Sequence, residues 1–415
     1  MGLSGKKVNT ILLAICFACL ASAGTSRADE YHYNTTAIGE RPTGMAGAYT
    51  AISDDASGLY YNPAGIVYSP GSNLSASVNS YSTLTKKYQN AIGGYDYVRK
   101  SENLQPNFFG VIQHTPFGTV GFSYAIPDTM MEGQDQTLIN PNSSISSYTI
   151  NFNKEYNVYN LGPSIGVELT NDLKIGATLY FHYRRQKTTN NIMQTLASSG
   201  QVVLTNSLYK LEETGFRPIL GVLWSPESAK YSVGFTLSQT MVYDSAQYSQ
   251  SATNFNFTTQ SFVSLTSPSV TRTAVLPQYP VVAKLGVAYF PSNALLVSAD
   301  ITYNSAVSAD TAVYTWDRTA VTNFAIGAEY YLRPTLALRA GVNSDISNAP
   351  NLSQANEKVD LYGLSFSGTW FSKSTSLTLG MTDSFGTGTA SIVGSSTQPL
   401  SVQAMTVFMG TSYSY

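Results

Sequence analysis

The sequence predicts an all-β fold: a transmembrane antiparallel β-barrel of about fourteen strands, closed around an N-terminal hatch that acts as a plug. Three observations predict it. Charge is scarce and aromatic residues are abundant, with 12% charged residues beside 29 Tyr, 18 Phe and 32 Gly; a water-soluble domain usually carries about 25% charged residues. Beyond residue 28, no stretch offers the ~20 consecutive apolar residues that a spanning helix needs. Apolar residues recur instead with a period of two, and short turns alternate with long polar segments.

The first element is a leader. Lys6 and Lys7 precede an apolar run from Val8 to Ala23, and Ser26-Arg27-Ala28 places small residues at −3 and −1 of a cleavage site. Residues 1–28 therefore read as a secretory signal peptide cleaved near Ala28, too short and too interrupted for an anchor. Cys16 and Cys19, both cysteines of the chain, leave with it. That excludes disulfides, thiolate metal sites and cysteine nucleophiles from the exported protein. Loss of Lys6, Lys7 and Arg27 takes the formal net charge from −2 to about −5, so no nucleic-acid partner is expected.

Residues 29–70 form the second element, a compact and mostly irregular hatch. Gly44, Ala46, Gly47 and Ala48 make a small-residue patch that lets backbones approach. Ser53 or Asp54 is suited to cap a short helix over Asp55 to Tyr61, and Pro63 stops it. A barrel of about fourteen strands is too wide to be filled by its own side chains, so its lumen needs such a plug or stands open.

The third element, residues 71–415, is the barrel. From Thr119 to Pro127, Val120, Phe122, Tyr124 and Ile126 share one face. The same alternation returns in Tyr159–Leu169, Leu173–Tyr183, Tyr231–Leu237, Val281–Tyr289 and Leu295–Tyr303. Strands are expected to start near Ser72, Asn107, Thr119, Tyr148, Asp172, Gly215 and Lys230, then near Tyr279, Ala294, Ala320, Thr335, Lys358, Thr375 and Ser401. Turns rich in Pro, Asn, Asp and Ser fall at 116–118, 170–172, 226–228, 291–293, 332–334 and 372–374. Long loops are expected at 85–106, 128–147, 186–213, 244–278, 306–319, 346–357 and 386–400. Strict alternation puts every long loop at one end and both termini in the periplasm, and an even strand number leaves no edge in lipid. At the C-terminus, Met405, Val407, Met409, Thr411, Tyr413 and Tyr415 share a face and end on an aromatic residue. This resembles the terminal signal read by the barrel assembly machinery, which is expected as a partner.

Three elements of the hatch carry a family resemblance. Gly-x-x-x-x-Gly-Met-x-Gly-Ala-Tyr spans residues 39–49, Asp-Asp-Ala-Ser spans 54–57, and Tyr-Tyr-Asn-Pro-Ala-Gly spans 60–65. Together they resemble the hatch of the FadL-type outer-membrane transporters of long-chain fatty acids and other hydrophobic compounds. The resemblance is tight over residues 39–66, while over the barrel only the architecture matches. It implies a hatch motif of Gly44, Gly47, Asp54, Asp55, Asn62, Pro63 and Ala64. It also implies a kink in the third strand, residues 119–127, that opens the wall. Barrels associated with secretion systems share parts of this hatch, so the motif supports a hatch-plus-barrel better than any one cargo.

Enzymatic chemistry finds no foothold. His32, His114 and His182 have no nucleophile at motif spacing, a Gly-x-Ser-x-Gly elbow is absent, and the paired Asp54 and Asp55 read as caps. No cofactor or metal site is expected. For transport, alternation turns Lys174, His182, Arg184, Arg217, Lys284, Asp300, Glu329 and Arg339 towards the lumen. Among these, Arg184, Lys284 and Arg339, with His182, are the candidate contacts for a ligand carboxylate. A wet network of lumen charges is the other account of the same residues. Phe255, Phe257, Phe262, Val263 and Leu265 place apolar spots in the segment 244–278. The expected function is passive outer-membrane transport of hydrophobic molecules, fatty acids or aromatic hydrocarbons, by a monomer surrounded by lipid and lipopolysaccharide. A secretion-associated or structural barrel and a less selective porin are the alternatives.

Overall fold

The computed structural model describes residues 31–33, 36–256, 261–272, 276–308, 317–352, 357–391 and 397–414. The expected leader and cleavage site and Tyr415 lie outside them, as do the side chains of the apolar spots in 244–278. Sixteen strand segments occur in chain order. They are β1 Asn73–Ile92, β2 Tyr95–Thr115, β3 Gly118–Asn142, β4 Ile145–Glu168, β5 Leu173–Leu196, β6 Val202–Trp224, β7 Tyr231–Asn256 and β8 Ser261–Arg272. Then come β9 Gln278–Ser292, β10 Leu295–Asn304, β11 Val321–Arg333, β12 Leu336–Asp345, β13 Glu357–Val359, β14 Leu361–Phe371, β15 Thr375–Ala390 and β16 Gln398–Ser414.

All pairs are antiparallel, and β1 pairs with β16, so the sheet closes on itself. On β7, β8 occupies the outer part of the ladder and β9 the inner part; β13 likewise prolongs β14 along β15. The closed wall thus has fourteen strands among the described residues. Leu161, Ile165, Leu179, Leu220, Leu285 and Leu377 stand outward and exposed, while the alternate positions carry buried Gly, Ser, Thr and charge. Trp224, Tyr231, Tyr289, Trp370 and Tyr413 stand outward beside the short turns. Tyr124, Tyr159 and Tyr183 stack at the other edge of the apolar belt, with centroids 6.4 and 6.2 Å apart. Two aromatic rims bounding an apolar band mark a barrel built to sit in a bilayer.

The structure corrects the sequence reading of the strands in two places. Much of 85–106, 128–147, 186–213 and 244–278 is strand rather than loop. β1 turns into β2 through Gly93-Gly94, whose φ values of 57° and 86° suit a tight hairpin. These extensions rise beyond the ~9–11 residues that cross a bilayer. Their outermost parts, with water on the outside, lose the apolar alternation that reveals a strand. The second correction concerns Ile126. It is buried, 1% exposed, whereas Phe122 on the same strand is 43% exposed. The ladder with β4 slips between Ala125 and Asp128, which turns Ile126 inward.

Inside the wall, the hatch runs through α1 Glu40–Gly44, α2 Gly58–Tyr61 and a 3-10 turn at Gly65–Tyr68. The capped helix expected over 55–61 is shorter: Asp55 accepts the Ser57 amide at 2.8 Å in a turn, and α2 follows it. Wall glycines make room for the hatch. A Cβ on Gly176 would lie 2.3 Å from the Pro63 carbonyl carbon, one on Gly234 2.1 Å from Thr50 O, and one on Gly327 2.6 Å from Met45 O. Gly166, Gly176 and Gly221 are register partners, as are Gly234 with Gly286 and Gly327 with Gly341, so the contact runs from strand to strand. At the outer end, β1 to β4 and β13 to β16 close on a second core of Tyr88, Tyr97, Phe152, Val359 and Val402. Buried Lys86 bridges Glu132 (2.9 Å) and Glu357 (3.0 Å) there, and Arg99 lies 4.1 Å from the Phe152 ring centroid.

Candidate functional site

The hatch is fastened to the wall by directed polar contacts. Arg41 forks onto Glu329 of β11, Nε at 2.9 Å and Nη2 at 2.8 Å, and donates to Tyr49 Oη at 3.1 Å while ion-pairing Asp54. Glu329 also accepts Arg339 Nε at 2.5 Å, and Arg339 donates to Thr369. Asp300 of β10 accepts the amides of Tyr49 (3.1 Å) and Thr50 (2.9 Å). Asn62 Nδ2 donates to Thr50 O and Val222 O at 2.8 and 3.0 Å, and its Oδ1 accepts the Ala64 amide at 3.1 Å. In the Asn62-Pro63-Ala64 motif, Asn62 ties hatch to wall and Pro63 seats against Gly176. Gly44 O accepts Ser365 Oγ at 3.0 Å, and Gly47 takes a φ of 86° that disfavours other residues. Asp54 and Asp55 border a vestibule of about 320 Å³ beside the short turn 372–374. Glu40 lines it too, and burial raises its pKa from 4.5 to about 7, helped by nearby Asp55.

Among the described residues, three cavities lie in the lumen around the hatch, each bordered by two or more of His32, Tyr33, Thr36 and Ala37. The first, about 170 Å³, is mainly polar and contains Lys284, Asp300, Tyr60 and Tyr61. The second, about 160 Å³, is more apolar, with Leu84, Met130, Met131, Leu361, Val402 and Ala404. The third, about 50 Å³, holds His182, Arg217 and Tyr279. The structure separates the predicted carboxylate contacts. Arg184 pairs with Glu213 (3.2 Å) and donates to Tyr279 Oη (3.2 Å), in a buried group inside the wall. His182 Nδ1 meets Asn160 Oδ1 at 3.0 Å, and its Nε2 has no hydrogen-bond partner among the described residues. Arg339 belongs to the hatch fastening. Lys284 makes no ion pair among the described residues and stands 5.3 Å from the Tyr61 ring centroid in the first cavity. Arg217, beyond the predicted set, donates to Tyr60 Oη at 3.2 Å on the other side of that tyrosine pair.

The wall is interrupted between β2 and β3. Their ladder runs from Thr115↔Gly118 to Phe108↔Ala125 and resumes only at Lys100↔Gly133. Pro106 and Pro127, one on each side, lack the amide that a ladder requires. Met130 and Met131 place the second cavity against this break, and outside it Leu104 is 69% exposed. The hatch reaches it as well: the Thr36 amide donates to Pro127 O at 3.0 Å, and Asn107 Nδ2 to Ala37 O at 2.8 Å. A register slip at Ile126-Pro127 and a missing stretch of ladder thus lie at the end of the strand for which the resemblance implies a kink.

The fold is that of known outer-membrane channels. A FadL homologue of Pseudomonas aeruginosa superposes with a TM-score of 0.65 at 13% identity, covering 92% of this chain and 99% of that one. The Pseudomonas putida toluene transporter TodX gives 0.65 at 15% identity, covering 91% and 98%. The monoaromatic hydrocarbon channel CymD gives 0.59 at 14% identity, covering 91% and 97%. No family model and no curated protein matches the sequence. At these identities the likeness is one of fold alone: a FadL-like closed barrel with short helices inside its wall.

Proposed function

We propose that this chain passes hydrophobic small molecules across the outer membrane without an energy source. Cargo rests in the lumen cavities and leaves sideways between β2 and β3. The observation that carries this reading is the meeting of an apolar-lined cavity with a break in the wall. A hydrophobic molecule there moves between two apolar surroundings without crossing the polar hatch. Lys284, which stands beside Tyr61 and makes no ion pair among the described residues, suits the headgroup of a carboxylated cargo. Long-chain fatty acids and aromatic hydrocarbons, the cargo class that the neighbours' names suggest, fit both features. The protein works as a monomer, with lipid and lipopolysaccharide around its apolar belt.

The test is uptake of labelled oleate and labelled toluene by cells with and without the gene, with sucrose as polar control. Faster uptake of either hydrophobe with unchanged sucrose entry is expected, and Lys284→Met should slow oleate while sparing toluene. Uptake equal to the empty strain for both hydrophobes refutes the transport reading.

A further inference from the structure

Where the ladder between β2 and β3 is missing, side chains cross the gap in its place. Thr129 Oγ1 on β3 lies 2.8 Å from Gln105 Oε1 on β2 and 2.8 Å from Asn157 Oδ1 on β4. Asn103 Nδ2 on β2 donates to Thr129 Oγ1 and to Gln105 Oε1, both at 3.3 Å. A threonine hydroxyl has a single proton, so Thr129 can donate to only one of its two oxygen neighbours at a time. One choice ties β3 across the gap to β2; the other ties β3 to β4, where the strands are already paired (Thr129↔Asn157).

We propose that Asn103, Gln105 and Thr129 form a side-chain latch over the lateral opening, with Asn157 as the acceptor that takes the Thr129 proton when the latch opens. The assignment rests on the transport reading above and adds what selects the cargo. Opening exchanges one hydrogen bond for another of equal length, so it proceeds without stranding the hydroxyl in an apolar setting. The remaining cross-gap bond, from Asn103, is the longer one. Polar solutes gain little from displacing the bridge, because the Asn103 amide and Thr129 hydroxyl donors are already engaged within it. An apolar molecule in the second cavity gains by passing Met130 and Met131, which follow Thr129 on β3, towards the lipid that borders the apolar belt. The latch therefore sets how wide a hydrophobe leaves, and how readily.

The test reads opening without relying on transport. Ala404→Cys places a thiol in the second cavity, and its labelling by a bilayer-dissolved maleimide is followed in nanodiscs. Thr129→Val removes the hydroxyl and should speed labelling roughly three- to tenfold, the weight of one hydrogen bond. Gln105→Leu, which removes the far acceptor, should act in the same direction. Asn157→Leu, which removes the alternative acceptor, should slow labelling by a similar factor. Each variant must keep the heat-modifiable gel migration of a folded barrel; if Thr129→Val fails to fold, Gln105→Leu against Asn157→Leu decides. Opposite shifts support the latch. Equal rates, or shifts in one direction for Gln105→Leu and Asn157→Leu, overturn it. Failed oleate and toluene uptake by the wild type would refute transport and leave the labelling order as it stands.

Discussion

Replacing Arg41 by Met keeps the length of the side chain and removes the fork that fastens the hatch. Its two bonds to Glu329, at 2.9 and 2.8 Å, are charge-assisted, and the Glu329 carboxylate is 2% exposed. Asp54 is 35% exposed, so water screens its share of the pairing and it adds little. Charge-assisted bonds contribute about 1.5–3 kcal/mol each. Glu329 keeps Arg339 at 2.5 Å, so the variant does not strand a buried charge, and the net loss is about 2–3 kcal/mol. That raises the share of molecules with an undocked hatch roughly 30- to 150-fold. Swelling of proteoliposomes in sucrose reads the leak, and thermal unfolding in detergent reads the stability. Arg41→Met should admit sucrose and melt earlier, with Arg41→Lys between, since an ammonium keeps the charge but not the fork. Wild-type melting together with a sucrose-tight barrel in Arg41→Met would refute this reasoning.

Gly176→Leu should lower barrel stability by about 1–3 kcal/mol, because its Cβ meets Pro63 backbone at 2.3 Å. Gly368→Ala, whose nearest neighbour would be 3.6 Å away, is the matched control and should leave the melting temperature unchanged. Glu40 gives a pH dependence with a defined sign. Its folded pKa of about 7 lies above the ordinary 4.5, so the folded state holds the proton more tightly. That stabilisation is complete below pH 4.5 and is lost as pH rises through 7, on the order of 3 kcal/mol in all. Melting temperature should therefore fall between pH 5 and pH 8, and Glu40→Gln should flatten the profile; an equally steep profile in the variant would exclude Glu40 as its source.

Where lipid lies on one side of a strand and the hatch on the other, the two faces differ sharply. The runs at Leu173–Tyr183 and Val281–Tyr289 were therefore legible as strands with their inner faces assigned. Beyond the membrane that contrast fades, so Val202–Lys210 and Tyr95–Lys100 look like loops although their backbones continue the ladder. The slip that turns Ile126 inward depends on how β3 meets β4, and residues 119–127 alone permit it without requiring it. Lys284, Arg184 and Arg339 were correctly placed inside the wall. Their different fates depend on the cross-chain partners Glu213 and Glu329, which no spacing along the sequence announces. One signal was available: glycine at inward positions of successive strands, as in Gly166, Gly176, Gly221, Gly234 and Gly286, traces where another backbone presses against the wall.

Glu40 also touches both strands that close the cylinder. Its Oε2 accepts Ser75 Oγ of β1 at 3.1 Å, and its Cβ lies where a side chain on Gly410 of β16 would have to stand. In mechanical terms the barrel is a hoop whose join is fitted over a wedge. The first helix of the described chain braces the pairing of its first and last strands. The join between the first and last strands is therefore complete only with that helix seated behind it.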